Sequence, residues 1–338
     1  MRISSEFKNK SGCREAIYSL RRVVEHYTAA GSTVNLCALD VSKAFDKMNH
    51  HGLFIKLMKR SVPTHVLLII EKWFVNSYTC VKWGSEFSEF FHLECGIRQG
   101  GVLSPYLFAL YIDSVIDQLK LLQFGCFVRY VNFNILMYAD DIILVAPTIT
   151  SLQLLVTECQ KALNFLELSI NVKKCACIRI GRRHSAACSP ISLCDGQLVH
   201  WSNSITYLGV TIVSATCFSC SFKEAKCKFY RAFNAIFGKV GRCANEVVTV
   251  ELLRAKCMPI LLYAVEACPI KNSEINNLQF ALTGAIMKIF NTKSKEIASD
   301  CANNFGIQEV SSLINRRASK FIKGFSSILT LHREVLVI

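Results

Sequence analysis

Two hydrophobic periods alternate along the first 213 residues of the chain. A helical period follows Gly12, where apolar side chains recur at three- and four-residue spacing as far as Tyr27. Another begins at Ser104-Pro105, because proline suits the first position of a helix. Short, mostly apolar runs predict buried strands at 34–41, 126–131, 135–146, 175–180 and 205–212, with 132–134 as a turn. The pattern predicts an α+β unit.

After residue 213 the pattern is almost entirely helical. Phe222, Phe229, Phe233 and Phe237 fall on one helical stripe, while lysines occupy the other faces. Further helices are predicted at 250–262, 274–290 and 309–325. The α+β unit is therefore expected to be followed by an all-helical unit.

Apolar residues make up 51% of the chain, which raises the question of a membrane span. The run from Val66 to Ile70 is stopped by charged residues, and the run from Ile142 to Ala146 lies between an aspartate and a proline. Neither approaches the roughly 20 apolar residues that a spanning helix needs. Because no apolar stretch follows the first basic residues, we expect a chain that is neither secreted nor inserted in a membrane.

The chain is basic, with 39 Lys and Arg against 25 Asp and Glu and a formal charge of +14. The excess is shared by both parts, at +6 up to residue 213 and +8 beyond it. This balance predicts a polyanionic partner such as nucleic acid, although a merely basic protein would show it too.

Seventeen cysteines are scattered through the chain without a secretory signal, which predicts free thiols in a reducing compartment. Cys217 and Cys220 form a single C-x-x-C pair with no second pair at zinc-ligand spacing. Packing is the favoured interpretation of this pair, and structural zinc stays open.

Two adjacent carboxylates interrupt the apolar run at 135–146. Asp140 and Asp141 follow Tyr138-Ala139, and a buried carboxylate without a partner is heavily penalised. A hairpin turn would relieve the burial, and so would a divalent cation. On these residues alone, a metal site and a surface turn are both open.

A third carboxylate, Asp40, ends the predicted strand at 34–41, and Phe45 lies in the turn that follows. Taken alone, Asp40 would suit a helix cap. Together with Asp140 and Asp141 it gives an oxygen-rich set on two strands, which suits a pair of Mg²⁺ ions. Two such ions can activate an attacking 3′-hydroxyl and stabilise a leaving pyrophosphate.

A glycine-rich loop runs from Gly96 to Ser104-Pro105. Its paired glycines allow the backbone to approach a ligand, and Arg98 and Gln99 can address a phosphate or a base. The loop also opens a helix, whose N-terminus favours anions. These features predict a nucleotide contact.

The three segments LDVSKAFDKMNH, GIRQGGVLSP and MYADD resemble motifs A, B and C of reverse transcriptases, particularly those of non-LTR (LINE-type), jockey-like retrotransposons. Residues 168–174 resemble motif D, and Tyr207 to Val210 resemble the primer grip. The resemblance implies a right-hand polymerase palm, an antiparallel sheet with packed helices. The implied domains are partial fingers and palm at 1–213, a helical thumb at 214–272 and a helical extension at 273–338.

The resemblance also implies residue roles. Asp40, Asp140 and Asp141 would be catalytic and, with the Val41 carbonyl, would bind two Mg²⁺ ions, for which Mn²⁺ could substitute. Phe45 would exclude a ribose 2′-hydroxyl. The other implied roles are nucleotide contacts for Arg98, Gln99 and Gly100, a general acid at Lys174, and primer positioning by Leu208 and Gly209. Without the family context, a surface lysine explains Lys174 equally well.

The implied activity is RNA-directed DNA polymerisation in the nucleus, with an RNA template, a DNA primer and dNTPs as partners. Glu6-Phe7-Lys8 resembles the end of a fingers region, so the chain is expected to be N-terminally truncated. A non-catalytic nucleic-acid-binding remnant, or a domesticated product lacking complete fingers, is the alternative that stays open.

Overall fold

A computed structural model describes residues 12–240 and 243–331 of the chain, and the Glu6-Phe7-Lys8 segment lies outside these ranges. The helices are α1 (Cys13–Ala29), α2 (His50–Lys59), α3 (Thr64–Val75), α4 (Ser104–Leu121), α5 (Ile149–Phe165), α6 (Lys223–Val240), α7 (Glu246–Leu252), α8 (Met258–Leu261), α9 (Asn272–Ile289), α10 (Lys295–Asn304) and α11 (Val310–Leu331). The strands are β1 (Val34–Asp40), β2 (Tyr78–Thr79), β3 (Lys82–Trp83), β4 (Glu86–Phe87), β5 (Phe91–His92), β6 (Cys126–Val128), β7 (Val131–Phe133), β8 (Ile135–Tyr138), β9 (Asp141–Ala146), β10 (Ala176–Ile180), β11 (Ile191–Ser192), β12 (Leu198–Trp201), β13 (Ser204–Tyr207), β14 (Val210–Val213) and β15 (Ser219–Ser221).

Several helices begin at the residues whose side chains favour helix starts. The Asn49 carboxamide accepts a hydrogen bond from the Gly52 amide at 3.0 Å at the start of α2. The Thr148 hydroxyl does the same for the Ser151 amide at 3.1 Å at the start of α5. Helix α4 begins at Ser104, with Pro105 in its first turn as predicted.

The central sheet has six strands in the order β11-β12-β10-β1-β9-β8. All neighbouring pairs are antiparallel except β10 and β12. A separate three-stranded sheet has the order β13-β14-β15. Strand β1 therefore lies in the interior of the central sheet, between β10 and β9.

The two faces of the central sheet are both buried. On β1, Leu36 packs into a core with α1 and the helices after residue 222, while Cys37 packs into a second core with α2, α4 and α5. On β9, Ile143 and Leu144 divide between the same two cores. Burying each large apolar side chain contributes roughly 1.5–3 kcal/mol. The predicted α+β fold is confirmed, because antiparallel strands pack with helices on both faces.

One turn was predicted at the wrong residues. The turn predicted at 132–134 lies instead at Arg129-Tyr130, both with positive φ, as a two-residue hairpin between β6 and β7 requires. Asn132 and Asn134 do not turn the chain. Their carboxamides donate to carbonyls at the end of α4, which anchors the hairpin to that helix.

The three-stranded sheet crosses the predicted boundary after residue 213, because β15 pairs with β14. The division into units at 213 and 272 stays a prediction. Within the described ranges, every helix is too short or too polar to cross a membrane.

Candidate active site

The paired aspartates lie at a hairpin tip. The predicted strand at 135–146 is in fact two antiparallel strands, β8 and β9, in which Tyr138 pairs with Asp141. Ala139 and Asp140 form the turn, and Ala139 has a φ of +53°. The expectation of one continuous strand was wrong, because the chain turns at Ala139-Asp140. This turn brings the carboxylates towards water. Asp140 is half-buried and the side chain of Asp141 reaches solvent.

Asp40 meets this hairpin at the end of β1. Asp40 and Asp141 are direct partners across the β1–β9 ladder. Side chains that lie opposite each other in an antiparallel pair project from the same face, so the two carboxylates are neighbours. Asp140 belongs to the adjoining turn. The three aspartates are thus brought together by one strand pair and one hairpin.

The carboxylates influence one another electrostatically. Although part of the Asp141 side chain reaches solvent, neighbouring atoms exclude water from one side of its carboxyl group, and this partial burial raises the pKa of Asp141 to about 6. The negative charges of Asp140 and then Asp40 add to this shift. The Lys174 ammonium lies 3.6 Å from Asp40 Oδ2. Lys174 is mostly exposed, so the pair is a weak contact that a ligand can displace.

Backbone contacts hold the end of β1. The Asn171 amide donates to the Asp40 carbonyl and the Ser42 amide donates to the Ser169 carbonyl, both at 2.8 Å. These bonds flank a bridge between Val41 and Ile170. Neither bond uses the Val41 carbonyl, and Val41 lines the cleft next to Asp40.

Phe45 lies in the turn after β1, and its ring stacks on Phe108 of α4. The ring centroids are 4.4 Å apart and the planes differ by 28°. Phe108 is fully buried and Phe45 is half-buried. The buried ring of Phe108 therefore restricts the movement of the half-buried ring of Phe45.

The glycine-rich loop packs directly against this turn. The Ile97 amide donates to the Phe45 carbonyl at 2.9 Å. Gly96 has a φ of +80°, and a Cβ there would lie 2.5 Å from the Asp46 carbonyl oxygen. Only glycine allows this approach. Gln99 Nε2 donates to Asp46 Oδ1 at 3.3 Å, which ties the loop to the turn.

Arg98 turns away from Gln99. Its guanidinium donates to the Tyr78 carbonyl on β2 at 3.0 Å. Its own carbonyl accepts from the Ser104 hydroxyl at 2.6 Å, at the start of α4. Gly100 is exposed, with a φ of +84°. These two hydrogen bonds attach the loop at Arg98 to β2 and to the start of α4.

Leu208 and Gly209 form a separate turn between β13 and β14. Both have positive φ, +47° and +76°, and Tyr207 pairs with Val210 across the turn. A leucine in this region costs about 1–3 kcal/mol of strain. The Tyr263 hydroxyl donates to the Leu208 carbonyl at 3.0 Å.

A cleft of about 550 Å³ collects most of the predicted residues. Six of them line it: Asp40, Val41, Phe45, Gln99, Asp140 and Lys174. The predicted residues outside this lining are Arg98, Gly100, Asp141, Leu208 and Gly209. Within residues 12–240 and 243–331, no three His, Cys, Asp or Glu side chains converge to form a metal site by themselves. Among the described residues, Cys217 and Cys220 likewise belong to no such group of three side chains.

A model of the family described as "Reverse transcriptase (RNA-dependent DNA polymerase)" matches residues 3–212. The chain belongs to the reverse transcriptase family. The match covers motifs A to D and the β13–β14 turn. Residues 3–212 are therefore a reverse transcriptase domain.

Known reverse transcriptases of mobile elements resemble this chain at low identity. The R2DM element polyprotein of Drosophila melanogaster is 27% identical over 54% of this chain and 17% of its own length. The R2 polyprotein of Popillia japonica is 26% identical over 57% of this chain and 34% of its own length. The RNA-directed DNA polymerase of the mobile element jockey, from D. melanogaster, is 26% identical over 54% and 20%. The chain thus spans about a third or less of the length of these relatives.

Solved telomerase structures are more distant. Apo telomerase from Candida tropicalis gives a TM-score of 0.48 at 14% identity, covering 94% of this chain and 55% of that one. Telomerase from Candida albicans, in complex with an RNA fragment, gives 0.46 at 12% identity, covering 98% and 54%.

The cleft also includes residues that the motifs did not single out. Lys43, Lys47, Ser169 and Asn171 line it, and the Lys47 ammonium donates to the Ser169 hydroxyl at 3.1 Å. The signal was present in the sequence, since both lysines flank Phe45 within motif A. They add positive charge beside the carboxylates.

Proposed function

We propose that this reverse transcriptase domain adds deoxynucleotides to the 3′-hydroxyl of a DNA primer on an RNA template, with two Mg²⁺ ions, for which Mn²⁺ substitutes. The observation that carries the proposal is the direct pairing of Asp40 with Asp141, beside Asp140 in the adjoining turn. The cleft next to this pair supplies groups for a nucleotide.

The residues present fit divalent cations. Burial raises the pKa of Asp141, the two neighbouring carboxylates of Asp140 and Asp40 raise it further, and a cation would offset this repulsion. Mg²⁺ takes oxygen ligands and commonly uses one or two carboxylates together with water and substrate phosphates, so a closed protein cage is not required. Asp40, Asp140, Asp141 and the Val41 carbonyl would hold the ions. When bound, they would favour deprotonation of the 3′-hydroxyl and neutralise the leaving pyrophosphate.

Phe45 would select the sugar. Its ring lines the cleft and is backed by Phe108, so it cannot yield easily to a bulkier sugar. A ribose 2′-hydroxyl would meet this ring, whereas deoxyribose would not. Gln99, held by Asp46, would contact the incoming nucleotide together with Gly100, and Arg98 would keep that loop in place.

Lys174 would act on the leaving group. Its ammonium lies 3.6 Å from Asp40 and lines the cleft, so Lys174 would donate a proton to the leaving pyrophosphate. Leu208 and Gly209 would position the primer end. The lysine-rich α6 would act as the thumb, contacting the phosphate backbone without sequence preference. We keep the division into fingers and palm (1–213), thumb (214–272) and helical extension (273–338).

Primer extension tests the proposal. The full chain is given poly(rA)/oligo(dT), dTTP and Mg²⁺ or Mn²⁺, and we expect template-dependent incorporation that EDTA abolishes. Loss of incorporation in the Asp140→Asn, Asp141→Asn double variant would support the assignment. A folded wild-type chain that binds the duplex and incorporates nothing with either ion would overturn it and leave a nucleic-acid-binding remnant. Nuclear action on chromosomal DNA belongs to the same proposal.

A further inference from the structure

Tyr263 contacts the turn at Leu208-Gly209 from the helical part of the chain. Its hydroxyl donates to the Leu208 carbonyl at 3.0 Å, across 55 positions of sequence. A Cβ added at Gly209 would lie 3.3 Å from the Tyr263 ring. The phenol therefore touches both residues of the turn.

The turn needs such support. Leu208 and Gly209 both have positive φ, and a bulky residue such as leucine rarely adopts this conformation. The Leu208 side chain is buried in the core that joins the sheet to the C-terminal helices. Strained backbone of this kind persists only where the surroundings hold it, and it clusters at functional sites.

Tyr263 also faces open space beside the turn. With Gly209 it lines a groove of about 350 Å³, whose other walls come from α6 and from Pro259 and Ile260 of α8. Tyr263 as a whole is 40% exposed. A nucleic-acid end that rests on the turn would lie next to the ring.

We propose that Tyr263 is a positioning residue that sets the turn at Leu208-Gly209 for the primer 3′ end. This inference rests on the proposed function, since it assigns the turn to the primer. The hydroxyl fixes the Leu208 carbonyl and, through the shared peptide plane, the direction of the Gly209 amide. Because Tyr263 lies between α8 and α9, it couples the helical region to the β13–β14 hairpin of the three-stranded sheet.

The test compares two Tyr→Phe variants of the full chain. Tyr263→Phe keeps the ring and removes the hydroxyl that holds Leu208. Tyr18→Phe is the matched control, because its ring packs against Phe321 while its hydroxyl makes no hydrogen bond with the described residues. Fluorescence anisotropy gives the Kd for an RNA–DNA duplex with a recessed DNA 3′ end and for a blunt duplex of equal length. Thermal unfolding of each variant checks the fold.

The wild type is expected to prefer the recessed end, and Tyr263→Phe is expected to reduce that preference roughly three- to tenfold, the effect of one lost hydrogen bond. The Kd for the blunt duplex and the behaviour of Tyr18→Phe stay at wild-type values. In primer extension, Tyr263→Phe raises the KM for primer–template and leaves the KM for dTTP unchanged. The inference is overturned if the wild type shows no preference, or if Tyr263→Phe behaves like Tyr18→Phe. A wild type that prefers the recessed end and incorporates no dTTP would instead overturn the proposed function alone.

Discussion

Asp40 and Asp141 are direct cross-strand partners on β1 and β9. Like charges that face each other across a strand pair are destabilising, and Asp140 adds a third charge at the turn. The raised pKa of Asp141, about 6, reflects burial first and these neighbours second. This pairing of like charges destabilises the metal-free chain, and a bound cation would offset the repulsion. A local conflict of this kind is expected at a functional site.

Replacement of Asp141 by asparagine is expected to stabilise the metal-free chain. An aspartate ionises near pH 3.9 when unfolded, and its pKa here is about 6, so folding favours the protonated form. The stabilisation from Asp141 is present below about pH 4 and is lost as the pH rises to about 6. Because Asp141 is partly exposed, solvent screens much of this effect. In EDTA at pH 7.5, Asp141→Asn should therefore melt slightly above the wild type, with a smaller gap at pH 4.5.

Differential scanning fluorimetry measures this difference. Asp195→Asn is the matched control, because Asp195 is exposed in the turn between β11 and β12. A lower melting temperature for Asp141→Asn than for this control at pH 7.5 would contradict the prediction.

Mg²⁺ should raise the melting temperature of the wild type, since an ion at ten times its Kd adds about 1.4 kcal/mol to the free energy of unfolding. It should not raise the melting temperature of Asp141→Asn.

Replacement of Phe45 by valine should relax sugar selection. The smaller side chain no longer fills the space beside the Phe108 ring, so a 2′-hydroxyl can enter. We expect the ratio of kcat/KM for dTTP to that for UTP to fall at least tenfold, equivalent to about 1.4 kcal/mol. Phe165→Val, at an exposed position at the end of α5, is the control. An unchanged ratio in an active Phe45→Val enzyme would refute the role.

Replacement of Gly96 by alanine should disturb the packing of the glycine-rich loop on the turn after β1. The new Cβ would lie 2.5 Å from the Asp46 carbonyl oxygen. Gly196 offers a close control, with a φ of +81° against +80° and open space around it. Both variants carry the strain of a left-handed alanine, about 1–2 kcal/mol, and Gly96→Ala should lose about 1–3 kcal/mol more.

Urea unfolding separates these two contributions, because the difference between the variants reports the clash alone. Gly96→Ala should also raise the KM for dTTP, since Gln99 is carried by the same loop. Equal stabilities for Gly96→Ala and Gly196→Ala would show that the loop moves away freely.

Local signals in the sequence were enough to locate β1, β10 and most of the helices, whereas the single strands predicted at 126–131 and 205–212 each contain a turn. The apolar run ending at Asp40 is β1, and Ser104-Pro105 begins α4, because each depends on neighbouring residues. The continuous strand at 135–146 and the turn at 132–134 were wrong. An apolar period does not reveal a two-residue turn at Ala139-Asp140, where alanine adopts a positive φ. Helix α10 was not predicted.

Contacts between distant segments of the chain could not be predicted from the sequence. The motifs named Asp40 and Asp141 but not their register, which depends on how β1 inserts between β9 and β10. Arg98 was predicted to contact a nucleotide, and nothing near it in the sequence indicated that its guanidinium donates to the Tyr78 carbonyl. The contact of Tyr263 with Leu208 has no local signal, since it joins two elements that meet only in the folded chain.

The most direct measurement is the rate of template-dependent dTTP incorporation by Asp40→Asn, compared with the wild type and with Asp195→Asn. Asp40→Asn keeps the size of the side chain and removes one charge from the pair with Asp141. We expect incorporation by the wild type and by Asp195→Asn, and a loss of at least a hundredfold, about 2.7 kcal/mol, in Asp40→Asn. Incorporation by Asp40→Asn at the wild-type rate would contradict the assignment of this pair as the catalytic centre.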